Sequence, residues 1–355
     1  MKYYFLVTAI AVFLASCNVT VCSGDCDPDP GPGPGPDPDM STAKLTSGSA
    51  PVDMLTALTH TGAAAAQRRA VRLSDRQVSS LRQYDGDKAP DNSPWEIWLE
   101  SSFSDVEDNR HGADISSDIV DVTGGFSYRV NRDLVIGMAG GYEELEAFGY
   151  RRNAYVEQTG LLIGPFAGYR LNEYFFADAW AGYRYVDGDS RVTNLDGSYD
   201  GDGYFFSTSL SAIFSHGSVY IQPKATLFYS DSEIDAYRLK NDTKSLALPD
   251  HDQTFGATQI STEINRPFQY SDTLQFTPFV RVGVAYEFDR TIDDSFLSDE
   301  LENEDPSRWR GGAGLGIHAN FSEQAAIEVG GGYEGIGVSD YDIWSLHAAI
   351  KISLN

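Results

Sequence analysis

The chain has 355 residues, a formal net charge of −26 and a hydrophobic fraction of 41%, with a mean hydropathy of −0.31. These values exclude a bundle of apolar membrane-spanning helices, because each such helix needs about 20 consecutive apolar residues. The 20 Tyr, 19 Phe and 34 Gly, set against 4 Met, favour β-structure with tight turns. We therefore expect a β-sandwich or a β-barrel.

The chain begins with the pattern of a secretory signal peptide: one cation at Lys2, a short apolar run and then small residues. The run is too short for a membrane span, and polar chain follows it. Its last four letters, LASC, end at Cys17 and resemble the lipobox of bacterial lipoproteins. The resemblance implies a lipoprotein-type signal peptide over residues 1–16 and lipidation of Cys17, with ordinary cleavage near a chance cysteine as the alternative.

Residues 17–51 form the next segment, which contains the stretch DCDPDPGPGPGPDPDM. Proline has a fixed φ angle and no N–H, so its alternation excludes helices and sheet ladders and favours extended, solvated chain. We expect this segment to be a disordered tether.

One strong helix-forming stretch, GAAAAQRRAVRLSDRQ, follows the tether at residues 62–77. It gathers four arginines, Arg68, Arg69, Arg72 and Arg76, in an otherwise acidic chain. We place the helix at about residues 52–84, within a domain of residues 52–86. Its length would be roughly 50 Å at 1.5 Å per residue, enough to traverse a barrel.

From Trp95 onward the sequence divides into twelve segments of alternating character. Each is longer than the roughly 9–11 residues that a tilted strand needs to cross hydrocarbon. The predicted strands are 95–106, 116–130, 133–146, 155–171, 174–187, 203–215, 218–231, 254–266, 273–289, 308–321, 325–336 and 342–354.

The alternation predicts which side chains face outward, because successive side chains of a strand point to opposite faces. In the last segment Trp344 and Leu346 share one face, while His347 and Lys351 share the other. Aromatic residues near segment ends predict interfacial girdles, which a soluble sandwich would not explain. They are Trp95, Phe103, Tyr142, Tyr185, Tyr204, Tyr229, Tyr286, Phe321 and Tyr333.

The connections alternate in length. Tight ones read VNRD, LNEY, SHGS and NFSEQ, whereas long ones cover residues 107–115, 187–202, 232–253 and 290–307. This pattern is typical of an up-and-down barrel with short periplasmic turns and longer external loops. Both ends of the barrel are then periplasmic.

Residues 52–355 resemble the β-domain of autotransporters, the translocator family of type V secretion. The likeness lies in the order of the arginine-bearing helix, the opening PWEIWLESSFS, the motifs GMAGGYEELE, GPFAGYR, AWAGYRY and RGGAGLGIHANF, and the alternating last strand. It implies an all-β fold in the bacterial cell outer membrane: a twelve-stranded antiparallel transmembrane β-barrel with an N-terminal α-helix in the lumen. The chain departs from the family by ending in Leu354-Asn355 rather than in an aromatic residue. Almost no passenger precedes the helix, so we expect a very short passenger.

The predicted lumen is net acidic. The inward parity collects the acidic residues Glu96, Glu100, Asp121, Glu143, Asp178, Glu287, Glu328 and Glu334, against Arg184, Lys224, Arg281 and Lys351. Arg68, Arg72 and Arg76 recur at helical spacing. Family members carry such a helix inside the pore, so we predict a plug whose arginines, Arg68, Arg69, Arg72, Arg76 and Arg82, complement the lumen. A solvated periplasmic helix is the alternative.

Enzymatic, metal and cofactor chemistry find little support. Outer-membrane lipases also use twelve-stranded barrels, with a serine and a histidine on the lipid-facing side. Here His318 and His347 fall on the lumenal parity and His216 lies in a turn. We find no nucleophile–base pair and predict no catalytic residue. Residues 187–203 superficially resemble a calcium loop, but Ser207 stands where a glutamate is needed. No metal and no cofactor are predicted.

These observations predict an outer-membrane translocator domain, with the barrel at residues 87–355 and a lipid anchor at the N-terminus. The alternatives are a cation-preferring pore and a surface protein that binds through the loops 232–253 and 290–307. The expected partners are outer-membrane lipid, the barrel-assembly machinery and periplasmic chaperones. The strong negative charge argues against nucleic acid, and we expect a monomeric barrel.

Overall fold

The computed structural model describes residues 62, 65–78, 94–109, 115–149, 154–289, 307–321 and 325–354. Helix α1 covers residues 65–78. The strands are β1 (Trp95–Asp108), β2 (Ile115–Arg129), β3 (Leu134–Gly149), β4 (Ala154–Arg170), β5 (Phe175–Val192), β6 (Leu195–Ala212), β7 (Phe214–His216), β8 (Val219–Ile234), β9 (Tyr237–Lys240), β10 (Ser245–Leu248), β11 (His251–Asn265), β12 (Phe268–Ser271), β13 (Leu274–Asp289), β14 (Trp309–Phe321), β15 (Ala325–Ile336) and β16 (Tyr341–Ser353). No helix within these ranges is both long and apolar enough to cross a membrane.

Twelve long strands form a closed antiparallel barrel. Each pairs with the next long strand along the chain, and β16 pairs with β1 to close the ring. The short strands β7, β9, β10 and β12 extend the walls at the two rims. Closure leaves none of the twelve long strands with a free edge, which is what a β-structure in lipid requires. The predicted twelve-stranded barrel is confirmed.

The tight turns lie at one end of the barrel, here named the short-turn end. Two of them, VNRD and LNEY, are built alike, because an asparagine side chain accepts two backbone N–H groups in each. Asn131 Oδ1 accepts from Asp133 and Leu134 at 2.8 and 2.9 Å. Asn172 Oδ1 accepts in the same way from Tyr174 and Phe175, at 2.8 and 3.0 Å. This local side-chain bonding is why asparagine favours such turns.

The opposite end, named the long-loop end, differs from the sequence prediction. Residues 187–202, predicted as a loop, continue β5 and β6 as a hairpin that turns at residues 193–194. Residues 232–253 contain the hairpin β9–β10. Both segments fold as strands because their apolar side chains fill the barrel mouth: Val192, Leu195, Leu239 and Leu248 are buried. The wall is therefore taller here than predicted.

The outer surface carries the predicted apolar parity. Large apolar side chains point away from the barrel on most strands and are exposed, among them Leu161, Ile163, Leu210, Ile260, Val280, Val282, Leu315, Val329, Trp344 and Leu346. The aromatic residues Trp95, Tyr142, Tyr185, Tyr204, Tyr229 and Phe321 are exposed as well. Such a surface suits lipid rather than water.

Inward-facing positions change character along the barrel axis. At the long-loop end they form an outer apolar cluster, which consists of Ala65, Val106, Ile115, Ile119, Leu145, Ala147, Ala154, Val156, Val186, Val192, Leu195, Tyr199, Ile234, Leu239, Leu248, Tyr341 and Ile343. Toward the middle the inward residues are charged, and toward the short-turn end they line a cavity of 520 Å³. The lumen is thus filled with apolar side chains at its outer end, which the sequence analysis did not predict.

Two glycines on the inner face of β4 test how tightly the barrel wall is packed. A Cβ atom at Gly164 would lie 2.0 Å from the Ala181 carbonyl oxygen, whereas one at Gly160 meets Glu143 at an ordinary 3.4 Å. We expect Gly164→Ala to lower stability by about 1–3 kcal/mol, because the clash is with backbone. Gly160→Ala is the matched control on the same strand and face. For each variant, the measurement is the temperature at which half of the protein converts from the folded to the unfolded band on a heat-modifiability gel. Equal temperatures for the two variants would contradict the tight packing at Gly164.

Candidate functional site: the helix inside the barrel

Helix α1 lies inside the barrel along its axis. Near its N-terminal end Ala65 packs into the outer apolar cluster at the long-loop end. At its C-terminal end Val78 packs against Val135 and Phe176, which lie near the tight turns. The helix therefore runs from the long-loop end toward the short-turn end and crosses the lumen.

Small residues let the helix approach the wall closely. Ala66 and Ala70 are buried in a cluster with the aromatic side chains of Trp98, Phe166 and Trp180. At Gly62 even a Cβ atom would lie 2.8 Å from Arg184 Nη2. The alanine-rich sequence thus serves packing as well as helix propensity.

The carboxylates of Asp121 and Glu143 place two like charges close together in the wall of the lumen. They stand directly opposite each other on β2 and β3 and are 3% and 1% exposed. Like charges in that position repel, and water cannot screen a pair buried this deeply. The guanidinium of Arg69 bridges them: Nη2 donates to Glu143 at 2.7 Å and Nε to Asp121 at 3.4 Å. Arg184 donates a second bond to Glu143, at 2.6 Å.

Two further arginines of the helix continue this pattern toward the short-turn end. Arg72 Nη2 donates to both oxygens of Asp121, at 3.2 and 3.1 Å, and its Nε donates to Glu100. Arg76 also donates to Glu100 and lies over the Trp98 ring, 5.0 Å from its centroid. We name the set Arg69, Arg72, Arg76, Glu100, Asp121 and Glu143 the arginine–carboxylate network.

Other contacts hold the helix from the remaining sides. Ser74 Oγ donates to Asp178 Oδ2 at 2.7 Å. Asp75 of the helix pairs with Lys224 and with Arg281, the latter at 2.9 Å. Gln67 accepts a 2.6 Å bond from Arg310 Nη2. The helix is therefore bonded to walls on opposite sides of the lumen.

Comparison with known proteins identifies this barrel. The model of the family described as Autotransporter beta-domain matches residues 98–333. The chain belongs to the autotransporter β-domain family. Its barrel is accordingly an outer-membrane transport barrel. Compared with curated protein sequences, the chain shows no significant match.

Solved structures agree in fold. The translocator domain of the autotransporter NalP from Neisseria meningitidis superposes with a TM-score of 0.65 at 13% identity, covering 84% of this chain and 98% of that one. The β-domain of the Bordetella autotransporter BrkA gives 0.56 at 14% identity, covering 74% and 100%. The transport unit of AIDA-I from Escherichia coli gives 0.54 at 14% identity, covering 79% and 97%.

The predicted lumenal acids of this autotransporter barrel all lie on inward positions, but they divide into groups. Glu100, Asp121, Glu143 and Asp178 bond to helix side chains, as described above. Glu287 and Glu334 bond to Arg310 of the wall. Glu328 pairs with His347 and His318, at 3.0 and 3.4 Å. Glu96 is buried on β1.

The helix arginines also divide, against the expectation of one stripe through Arg68, Arg72 and Arg76. Arg69 joins Arg72 and Arg76 in the arginine–carboxylate network, whereas Arg68 faces the wall of β14 and β15. Residues three or four positions apart share one face of a helix. Because successive residues are 100° apart, this spacing does not determine whether Arg68 or Arg69 joins Arg72 and Arg76. Arg82 and Cys17 lie outside the described residues.

Sequence reasoning overlooked several charged lumenal residues. Arg310 follows the outward-facing Trp309, so strand alternation would have placed it inside. Glu263 on β11 bonds to Arg281 at 2.7 Å, but alternation was weak in that segment. Across the described residues, no group of three or more His, Cys, Asp or Glu side chains is arranged to hold a metal ion.

We expect loss of the Glu100 carboxylate to release the C-terminal half of helix α1 from the barrel wall. Glu100→Gln leaves Arg72 and Arg76 without a shared carboxylate, and breaking a buried ion pair costs about 3–5 kcal/mol. We expect trypsin to cleave the folded variant at the helix arginines, while the wild-type helix stays protected. Gel mobility and mass spectrometry of the fragments measure this.

The matched control is Asp196→Asn, which removes the carboxylate that pairs with Arg191. Both side chains of that pair are 60% exposed, and exposed pairs contribute about 0–1 kcal/mol. The control should resist trypsin as the wild type does. Equal protection of Glu100→Gln and wild type would show that the network does not retain the helix.

Proposed function

We propose that this outer-membrane barrel carries its own N-terminal segment to the cell surface and then keeps helix α1 in the lumen as a plug. The observation that carries the proposal is the polarity of the helix. Its N-terminal end lies at the long-loop end, whereas β1 starts at the short-turn end, where Pro94 accepts a bond from Arg129 N at 2.9 Å. In outer-membrane barrels the short turns are periplasmic. The segment before α1 then leaves on the external side.

Two features of the lumen favour a closed barrel over the cation-preferring pore. The carboxylates that would attract cations, Glu100, Asp121 and Glu143, are already paired with arginines of the helix. The outer apolar cluster fills the inner face at the long-loop end, and apolar constrictions oppose ion passage. We propose a translocator in its resting state and no catalytic role.

The proposed N-terminal anchor is an acyl chain on Cys17, placed in the outer leaflet. Residues 18–52 can span roughly 110 Å when extended at about 3.3 Å per residue, far more than the thickness of a bilayer. The tether is therefore long enough to return to the membrane from the barrel mouth. We propose outer-membrane lipid, the assembly machinery and periplasmic chaperones as partners of this monomeric barrel.

An epitope inserted after Met40 tests the direction of threading. We expect antibody to label intact cells, because the segment before α1 emerges at the long-loop end. A second epitope in the periplasmic turn at residues 130–133 is the control, which should label only after the outer membrane is permeabilised. Labelling of both epitopes only after permeabilisation would place the tether in the periplasm and overturn the proposal.

Cys17→Ala tests the anchor. We expect complete loss of radiolabelled palmitate incorporation, with the barrel still heat-modifiable in the outer-membrane fraction, because barrel insertion does not need an acyl chain. Cys22→Ala is the matched control and should keep the label. Retained label in Cys17→Ala would mean that another residue is acylated.

A further inference from the structure

We propose that the barrel binds a small oxyanion, of phosphate or carboxylate chemistry, between helix α1 and the glycine-rich wall of β14 and β15. Arg68 is the residue that would hold it. This site adjoins the arginine–carboxylate network, because Arg72 also lines the cavity, but it does not depend on the proposed direction of translocation.

Arg68 is buried without a hydrogen-bonding partner for its charged end. The residue is 8% exposed, and both terminal nitrogens, Nη1 and Nη2, are buried and donate to no acceptor. The neighbouring helix arginines Arg69, Arg72 and Arg76 each donate to at least one carboxylate. A buried cation is costly unless it is paired and hydrogen-bonded. The terminal nitrogens of Arg68 therefore need a hydrogen-bond acceptor that the described side chains do not supply.

A cavity lies where that counter-ion would sit. It has a volume of 120 Å³ and is lined by Arg68, Val71 and Arg72 of the helix and by residues of β11 and of β13 to β16. The space exists because inward positions of β14 and β15 are glycines, among them Gly312, Gly314 and Gly332. At about 30 Å³ per water molecule, the cavity holds about four waters, which is room enough for a phosphate or a carboxylate group.

Among the described arginines that line the cavity, Arg68 is the one with no bonded carboxylate. Three other arginines line it, and each has two carboxylate partners: Arg72 has Glu100 and Asp121, Arg281 has Asp75 and Glu263, and Arg310 has Glu287 and Glu334. Only one acidic side chain, Glu334, lines the cavity itself among the described residues. The terminal nitrogens of Arg68 thus have no bonded carboxylate among the described residues.

The geometry of the guanidinium favours an oxyanion over a spherical ion. Nη1 and Nη2 form a planar fork, and a phosphate or carboxylate can accept from both at once. Both arms of the Arg68 fork are unoccupied. A bidentate ligand would satisfy both donors within one small cavity.

Glu334 is the internal competitor for Arg68. Its carboxylate lines the same cavity as Arg68, but its Oε2 accepts from Arg310 Nε at 3.2 Å. If Glu334 were the true partner of Arg68, the cavity would need no ligand. Removing this carboxylate while keeping the shape of the side chain therefore separates the two cases.

The test measures the half-conversion temperature of the full-length folded protein in detergent as the concentration of inorganic phosphate is raised. Ionic strength is held constant with sodium chloride, so that a rise reports preference for an oxyanion over a spherical anion. We expect a saturable rise of about 2–4 °C in the wild type, since a ligand that binds only the folded state stabilises it. Arg68→Gln should abolish the rise, and Glu334→Gln should enlarge it. Arg191→Gln, at an exposed site, is the control and should behave as wild type.

A second arm replaces phosphate with sodium acetate and distinguishes a phosphate site from a carboxylate site; a rise in either arm supports the proposal. Equilibrium dialysis of radiolabelled phosphate against wild type and Glu334→Gln keeps the test informative if Arg68→Gln does not fold. No saturable response to either anion in both wild type and Glu334→Gln would overturn the proposal. Equal responses in Arg68→Gln and Arg191→Gln would also overturn it.

Discussion

The repulsion between two buried carboxylates, Asp121 and Glu143, is the constraint from which the interior of this barrel follows. Their direct opposition on β2 and β3 sets two like charges side by side, and Arg184, the wall cation described above, bonds only to Glu143. Arg69 meets both, and it does so only when the helix lies in the lumen at one height and rotation. The barrel therefore requires the helix as much as the helix requires the barrel.

Once Arg69 fixes that rotation, it also determines which part of the barrel wall each face of the helix meets. The alanine face meets the aromatic wall formed by Trp98, Phe166 and Trp180. The opposite edge, which carries Arg68, faces the glycine wall, where no side chain fills the space. A close fit on one side thus leaves a cavity on the other, since a straight helix cannot follow a barrel wall all around.

Strand alternation predicted the twelve strands and assigned inner and outer faces in several of them, because a period of two is a local property of the chain. The same rule could have extended β5 and β6, since Val186, Val192, Leu195 and Tyr199 all have inward parity and are buried. Many aspartates and glycines in that stretch suggested a loop instead. Hydrophilic composition is only correlated with loops, whereas a period of two follows directly from the geometry of a strand.

Parity says which way a side chain points, but not which neighbour it meets. The sequence therefore predicted an acidic lumen and a basic helix, but not that Arg69 takes the central position and Arg68 the edge. It also missed the outer apolar cluster, whose members come from ten strands and meet only when the barrel closes. Contacts across a lumen depend on closure, shear and helix rotation, and no short window of sequence contains them.

The way the lumen is filled bears on how such a barrel changes from open to closed. A helix that slid along the axis would part Arg69, Arg72 and Arg76 from their carboxylates together, because all three lie on one rigid rod. Intermediate positions one residue away offer no equivalent set, since each residue rotates the helix by 100°. The network thus favours one discrete final position over gradual movement. An unfolded segment has no such register and could pass the same carboxylates freely. Formation of the helix and closure of the lumen would then be one event.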